Sequence, residues 1–208
     1  MEKKWFVALL MVVVMVCACW TGAGADEEHK IYTSSDYWYS LLDDGTVEIA
    51  RYYGNAEKLT IPDTLGGKKV TSIGSGAFLW CDSLTSVIIP DSVTTIGNWA
   101  FSECNSLTNV TISDSVSTIG YSTFSNCSAL TSITIPDSVI TIGDSAFYEC
   151  DSLTSITIPD SVATIGYHSF DNCPNLTLTV YRNSYALEYA KTNNIPYTYP
   201  DANDWLNN

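Results

Sequence analysis

Basic residues are scarce in this chain of 208 residues. It contains 9 Lys and Arg against 23 Asp and Glu, and no Lys or Arg lies between Lys69 and Arg182. Proteins hold nucleic-acid phosphates mainly through Lys and Arg, which release condensed counterions, so this balance excludes nucleic acid as a partner. The surface of an anionic membrane is excluded for the same reason.

Groups that carry catalysis or hold metals are also rare. The only histidines are His29 and His168, and the chain has no nucleophile elbow, glycine-rich phosphate loop or zinc-protease helix motif. We therefore predict no catalytic residues, no metal site, no cofactor and no enzymatic activity. A glycoside or peptide hydrolase that uses two of the many carboxylates is a remote alternative.

Long hydrophobic runs are limited to the first residues. A run of 16 apolar residues, Trp5 to Trp20, follows two lysines, and small residues at 23–25 precede Asp26. Because this run is shorter than the ~20 residues that span a bilayer, it predicts a signal peptide over residues 1–25, cleaved near Ala25. Cleavage would give a secreted or cell-surface protein with a formal net charge of −15 in place of −14. A lipid anchor at Cys19 is the alternative, and no later run is long enough to insert into a membrane.

One internal repeat of 23 residues dominates the rest of the chain. Cysteines recur at this interval, at Cys81, Cys104, Cys127, Cys150 and Cys173. The sequence around them is nearly identical in the copies that begin at Leu84, Leu107, Leu130 and Leu153. A looser copy begins at Leu59, with a turn lengthened by Gly66 and Gly67, and a copy lacking one strand residue begins at Leu176. Such periodicity predicts a solenoid, because one repeat has too little apolar surface to fold alone.

The copy that begins at Leu130 shows how one coil is expected to fold. Ile133 and Ile135 alternate with polar residues, which predicts a short strand with one buried face. Pro136 ends this strand because it cannot donate to a ladder. Gly143 is expected to adopt a positive φ at the next corner, and Phe147 is expected inside a short helical turn.

The repeated pattern L-x-x-I-x-I-P-x-S-V-x-x-I-G-x-x-A-F-x-x-C resembles the BspA-like class of leucine-rich repeats. The resemblance covers residues 59–180 and implies a stack of parallel short strands with short helical turns. Residues 26–58, with a β-hairpin around Asp44 and Gly45, resemble the N-terminal cap of this family. Residues 181–208 resemble its C-terminal helix and strand cap with a tail, and Ser184 is the expected helix N-cap.

The five repeated cysteines are predicted to form a ladder of free thiols. Equivalent inward positions one coil apart stand ~4.8 Å from one another, whereas the Cβ atoms of a disulfide lie ~3.5–4.5 Å apart. We therefore expect buried thiols that serve as small hydrophobic side chains. A metal column is disfavoured because no histidine joins the cysteines at ligand spacing.

Aspartates form a second repeated column, whose members are Asp63, Asp91, Asp114, Asp137 and Asp160. Stacked carboxylates repel one another, so each needs solvent, a backbone hydrogen bond or a bridging cation. Turn capping is the favoured interpretation, and bridging by calcium is the alternative.

Aromatic residues at variable repeat positions are the candidate binding site. Other copies replace them with Ser, Asn or Asp, so the repeat itself does not require them. They either bind a ligand, since large aromatics contribute strongly to interfaces, or cover the neighbouring coil. The set comprises Trp80, Trp99, Tyr121, Tyr148, Tyr167 and His168.

The resemblance implies a function without catalysis. Proteins of this class are typically exported adhesins or binding modules, so a monomeric module that binds an extracellular protein or glycan is expected. A structural or assembly element of a cell-surface layer is the alternative.

Overall fold

The computed structural model describes residues 30–200 of the chain. The predicted signal peptide, Cys19, His29 and residues 201–208 lie outside the described residues. Between residues 30 and 200, no helix has the length and apolar character needed to cross a bilayer.

The described residues form short strands and one helix. In chain order the elements are β1 (Ile31–Ser34), β2 (Tyr37–Leu41), β3 (Val47–Tyr52), β4 (Lys58–Thr60), β5 (Thr64–Leu65), β6 (Lys68–Ile73), β7 (Ser86–Ile88), β8 (Thr95–Ile96), β9 (Asn109–Thr111), β10 (Thr118–Ile119), β11 (Ser132–Thr134), β12 (Thr141–Ile142), β13 (Ser155–Ile158), β14 (Thr164–Ile165), β15 (Thr177–Val180), α1 (Tyr185–Thr192) and β16 (Tyr197–Thr198).

Each coil contributes strands to two sides of a solenoid. On one side β4, β7 and β9 pair in parallel, as do β11, β13 and β15 further along the chain. On the other side β6, β8, β10, β12 and β14 form one parallel run. Ile133 lies opposite Ile156, 23 residues later, so equivalent side chains stack in columns. The predicted fold, a mainly β leucine-rich-repeat solenoid, is confirmed.

The third side of each coil, which we call the turn side, runs from the repeated glycine to the repeated cysteine. Where the sequence predicts a short helical turn, the chain forms a series of tight turns. Amides of one coil donate to carbonyls of the next: Phe101 N–H to Thr123 O at 2.9 Å and Phe124 N–H to Ala146 O at 2.8 Å. A left-handed residue such as Glu149, with φ of 57°, interrupts each turn, so a continuous helix does not form.

The repeated glycine allows close packing of the coils. The expected positive φ at Gly143 is wrong, because the positive φ belongs to Ser145, at 55°. A Cβ atom on Gly143 would lie 2.7 Å from the carbonyl carbon of Gly120 in the preceding coil. Carbon atoms in contact prefer ~3.5–4.0 Å. Glycine is therefore the residue that lets neighbouring coils approach at this corner.

Phenylalanine rings form the centre of the core. Neighbouring rings of this phenylalanine column stack with centroids 4.9 to 5.5 Å apart, from Phe78 through Phe101, Phe124 and Phe147 to Phe170. The column continues into Tyr52 at one end, at 5.2 Å, and Tyr189 at the other, at 6.1 Å. Both ends of the solenoid core are thus covered by tyrosines from the caps.

The N-terminal cap extends the sheet that contains β6. β2 and β3 form the predicted hairpin, and Gly45 in its loop has a φ of 80°. β1, which the sequence analysis does not predict, pairs antiparallel with β2, and β3 pairs in parallel with β6. Tyr37 and Tyr52 are buried against the first coil, with ring centroids 5.1 Å apart.

The C-terminal cap also agrees with the prediction. Ser184 Oγ accepts the Leu187 N–H at 3.1 Å, so this residue is the N-cap of α1. Glu188 lies in the first turn and Lys191 in the last, where each suits the helix dipole. β16 then pairs with β15 and covers the edge of the last coil.

Replacing Phe124 with alanine tests the core column. We expect Phe124→Ala to lower the free energy of unfolding by about 3–5 kcal/mol, because it opens a cavity among fully buried rings. Urea unfolding followed by circular dichroism measures the loss. Phe124→Leu is the control and should cost less than about 2 kcal/mol. Equal losses in the two variants would contradict the importance of ring volume.

Candidate functional site

Within the coils, the exposed aromatic side chains lie on the turn side. Trp80, Trp99, Tyr121 and Tyr167 are 65, 45, 42 and 80 % exposed. His168 is exposed and Tyr148 is half-buried. All six members of the predicted set therefore reach the surface to some degree.

Both tryptophans have left-handed backbone conformations. The φ angle is 63° at Trp80 and 54° at Trp99. The repeat requires this conformation in every coil, and only some coils meet it with Gly or Asn, the residue types that tolerate it best. The equivalent residues are Glu103, Asn126, Glu149 and Asn172 for Trp80, and Gly76, Ser122, Ser145 and His168 for Trp99. A bulky residue here costs of the order of 1 kcal/mol, and such strain tends to persist where a function requires it.

Trp99 and Tyr121 form an aromatic pair. Their ring centroids are 5.0 Å apart and their planes are inclined by 78°, an edge-to-face contact. This geometry is favourable for aromatic rings and leaves part of each ring open to solvent. The structure thus brings together two of the predicted site residues. Trp80 lies in a different row, at the second left-handed position of its coil.

The residues after the repeated glycines form a row along the stack. This post-glycine row contains Ser75, Asn98, Tyr121, Asp144 and Tyr167. Asn98 Oδ1 accepts the Tyr121 N–H at 3.0 Å, and Asp144 Oδ1 accepts the Tyr167 N–H at 2.9 Å. Adjacent members are one coil apart, ~4.8 Å. From Asn98 onward, polar acceptors and phenols therefore alternate at the spacing of the coils.

Tyr148 and His168 contact polar neighbours. Asn172 Nδ2 donates to the Tyr148 hydroxyl at 3.1 Å. Hydrogen bonding to Glu149, followed by its negative charge, raises the pKa of Tyr148. His168 Nδ1 lies 2.6 Å from Asp171 Oδ2. These contacts hold both rings at the surface of the last coils.

A groove separates the last coils from α1, and sequence reasoning missed half of it. Tyr167 and Asp144 line one wall, and Tyr185, Glu188 and Tyr189 of the helix line the other. The three helix residues are spaced i, i+3 and i+4, so they share one face of the helix. This spacing is visible in the sequence, but which face packs against the coils is not.

The five thiols occupy equivalent positions at the end of the turn side. They are free; Cys104, Cys127 and Cys150 are buried, while Cys81 and Cys173 at the two ends are partly exposed. Each thiol from the second coil onward donates to the phenylalanine carbonyl of the preceding coil, as Cys127 Sγ does to Phe101 O at 3.1 Å. Burial raises the pKa of Cys127 to about 12.

The aspartate column does not cap the turns, contrary to the prediction from the sequence. Asp91, Asp137 and the other members are exposed, and none of them accepts a side-chain hydrogen bond from a described residue. The turn is closed by its backbone, with Val139 N–H donating to Pro136 O at 3.0 Å. The adjacent Ser138 Oγ bonds the preceding coil, at Val116 O, at 2.6 Å. Among residues 30–200 no group of three or more His, Cys, Asp or Glu is arranged to hold a metal.

Replacing Trp80 tests whether this indole is needed for folding. We expect Trp80→Asn to change the free energy of unfolding by less than about 1 kcal/mol, because relief of left-handed strain offsets the limited contact that is lost. Chemical denaturation measures it, with Phe124→Ala as the reference for a core residue. A loss as large as that of Phe124→Ala would identify Trp80 as cover for the neighbouring coil.

Alkylation should distinguish the thiols by position. We expect iodoacetamide to modify Cys81 and Cys173 in the folded protein, and the three interior thiols only after unfolding, since attack requires an accessible thiolate. Peptide mapping by mass spectrometry measures each site. Rapid labelling of Cys127 in the folded state would contradict its place in a closed core.

Comparisons with known proteins agree with this geometry. A family model described as BspA type leucine rich repeat region matches six copies over residues 50–177. A leucine rich repeat protein of T. pallidum is 32% identical, with a TM-score of 0.68 over 71% of this chain and 70% of that chain. Among curated proteins the comparison finds no match.

Two further solved structures are longer than this chain. A leucine rich cell surface protein from Faecalibacterium prausnitzii is 32% identical, with a TM-score of 0.69 over 77% of this chain and 41% of its own. A leucine-rich repeat protein from Bacteroides ovatus is 38% identical, with a TM-score of 0.65 over 72% of this chain and 40% of its own. The chain thus matches less than half of either protein.

Proposed function

The chain belongs to the BspA-type leucine-rich repeat family, and on that premise we propose that it is an exported, non-catalytic module that binds an extracellular protein or glycan. The turn side supplies the binding surface. The similar Faecalibacterium protein is described as a cell surface protein, which supports a location outside the cell.

The single observation that carries the proposal is the placement of tryptophan at strained, exposed positions. Trp80 and Trp99 adopt left-handed φ values that Gly or Asn would adopt at lower cost, yet these residues are 65 and 45 % exposed. Burial in the core does not account for them. Tryptophan and tyrosine are the residues that contribute most often to the affinity of interfaces.

The negative charge of the turn side is compatible with two classes of partner, basic proteins and neutral sugars. The solenoid from Val70 to Tyr181 contains no Lys or Arg, so the turn side lies in a negative field. Basic protein surfaces are attracted by such a field, and sugars stack on exposed aromatic rings without needing charge. Salt therefore weakens the first kind of binding and leaves the second largely unchanged.

An array of glycans and extracellular proteins tests the proposal. We expect the protein to bind one class of partner, and Trp99→Ala and Tyr121→Ala each to weaken that binding about tenfold or more, as for central interface residues. Ile88→Ala is the control, because Ile88 is also 45 % exposed but lies on a strand rather than on the turn side.

Two results would contradict the binding role. Unchanged binding in both aromatic variants would remove the turn-side pair from the site. Absence of any partner, together with salt-dependent polymers in light scattering, would favour a structural element of a cell-surface layer.

A further inference from the structure

From the groove between the last coils and α1, we infer a site for a positively charged side chain, Lys or Arg, of a basic protein partner. The inference rests on the proposed binding function and names the class of partner for one site. The groove has a volume of about 610 Å³. Ligand pockets in proteins commonly measure about 300–1,000 Å³, so the space suffices for an extended basic segment.

Two exposed tyrosines face this groove from opposite elements. Tyr167 comes from the last complete coil and is 80 % exposed, and Tyr185 opens α1 and is 47 % exposed. Tyr189, which ends the phenylalanine column, lines the same space. Aromatic rings attract cations through their quadrupole, so tyrosines on two sides of one cavity suit a guanidinium or ammonium group.

Carboxylates complete the site. Asp144 uses Oδ1 to accept the Tyr167 N–H, and its other oxygen has no hydrogen-bond partner among the described residues. Glu188 lies on the opposite wall and pairs with Lys191 at 2.9 Å. Both members of that pair are largely exposed, and exposed pairs are weak, so an incoming cation competes readily for Glu188.

The surroundings favour a cation over a neutral sugar. No Lys or Arg lines the groove among the described residues, and the charge of Lys191 on the same helix is offset by Glu188. The coils contribute carboxylates and no Lys or Arg. A cation gains ring contacts, charge-assisted hydrogen bonds and attraction of opposite net charge here, whereas a neutral sugar lacks the last of these.

Peptide binding to the purified protein tests the site. The probe is acetyl-Gly-Arg-Gly-Arg-Gly-amide, and the matched peptide with citrulline in place of arginine keeps the shape and removes the charge. We expect the arginine peptide to bind, the citrulline peptide to bind at least about tenfold more weakly, and affinity to fall as salt is raised. Isothermal titration calorimetry measures each affinity.

Variants locate the binding in the groove. Asp144→Asn keeps an oxygen for the Tyr167 N–H but removes the charge, and should weaken arginine-peptide binding about tenfold. Tyr167→Ser introduces the residue found at the equivalent Ser75 and should weaken it about three- to tenfold. Tyr53→Ser, at a 57 % exposed tyrosine of the N-terminal cap, and Asp114→Asn are the matched controls, because both residues lie outside the groove, and should bind as the unaltered protein does.

The outcomes separate this site from the general binding role. If the Asp144 and Tyr167 variants bind the arginine peptide unchanged, or if maltohexaose displaces the peptide, the cation site is overturned. Loss of array binding in Trp99→Ala would then still support the proposed function. Groove-dependent peptide binding supports the cation site even when the array yields no partner.

Discussion

Backbone hydrogen bonds between successive coils fix the spacing of everything else in the structure. They run through both parallel sheets and along the turn side, where N–H groups such as that of Phe124 donate to the next coil. Because the same atoms pair in each coil, a side chain at one repeat position lies directly beside its equivalent. Columns of phenylalanine and cysteine follow from this constraint.

The same constraint separates positions that build the core from positions free to vary. Ring centroids in the phenylalanine column repeat at about the spacing of the coils, so any other residue there would interrupt stacking on both sides. The post-glycine row projects outward, and a polar acceptor in one coil can be followed by a tyrosine in the next. Variation in this row therefore lies at the surface, where a partner can contact it.

Much of the fold could be predicted because the repeat encodes it. The interval between cysteines gives the length of a coil, the alternation around Ile133 gives a strand, and Ser184 gives the start of a helix. β1 was missed because the two-residue turn at Ser35 and Asp36 that joins it to β2 lacks the Asn-Gly or Asp-Gly signal of a hairpin. The role of Gly143 was misjudged because a close approach between coils leaves no trace in one copy of the sequence.

The candidate site could be predicted only in part, for a related reason. Trp99 and Tyr121 differ from the residues at the same positions of other copies, so the sequence identifies these positions as variable. Tyr185 and Glu188 lie outside the repeat, so nothing in the sequence shows that α1 turns this face toward Tyr167. The tyrosines that cover the phenylalanine column are predictable in kind, since open ends need apolar cover, but not in identity.

The alternation of acceptor and phenol in the post-glycine row sets a rule for changes in length. From Asn98 to Tyr167 the polar residue of one coil accepts the backbone N–H of the tyrosine in the next, so over this stretch the surface unit spans two coils although the core unit spans one. Duplication or deletion of two coils would preserve this phase. Gain or loss of a single coil would leave the core columns intact. It would place two acceptors or two tyrosines next to each other in the post-glycine row, which would alter recognition without altering the fold.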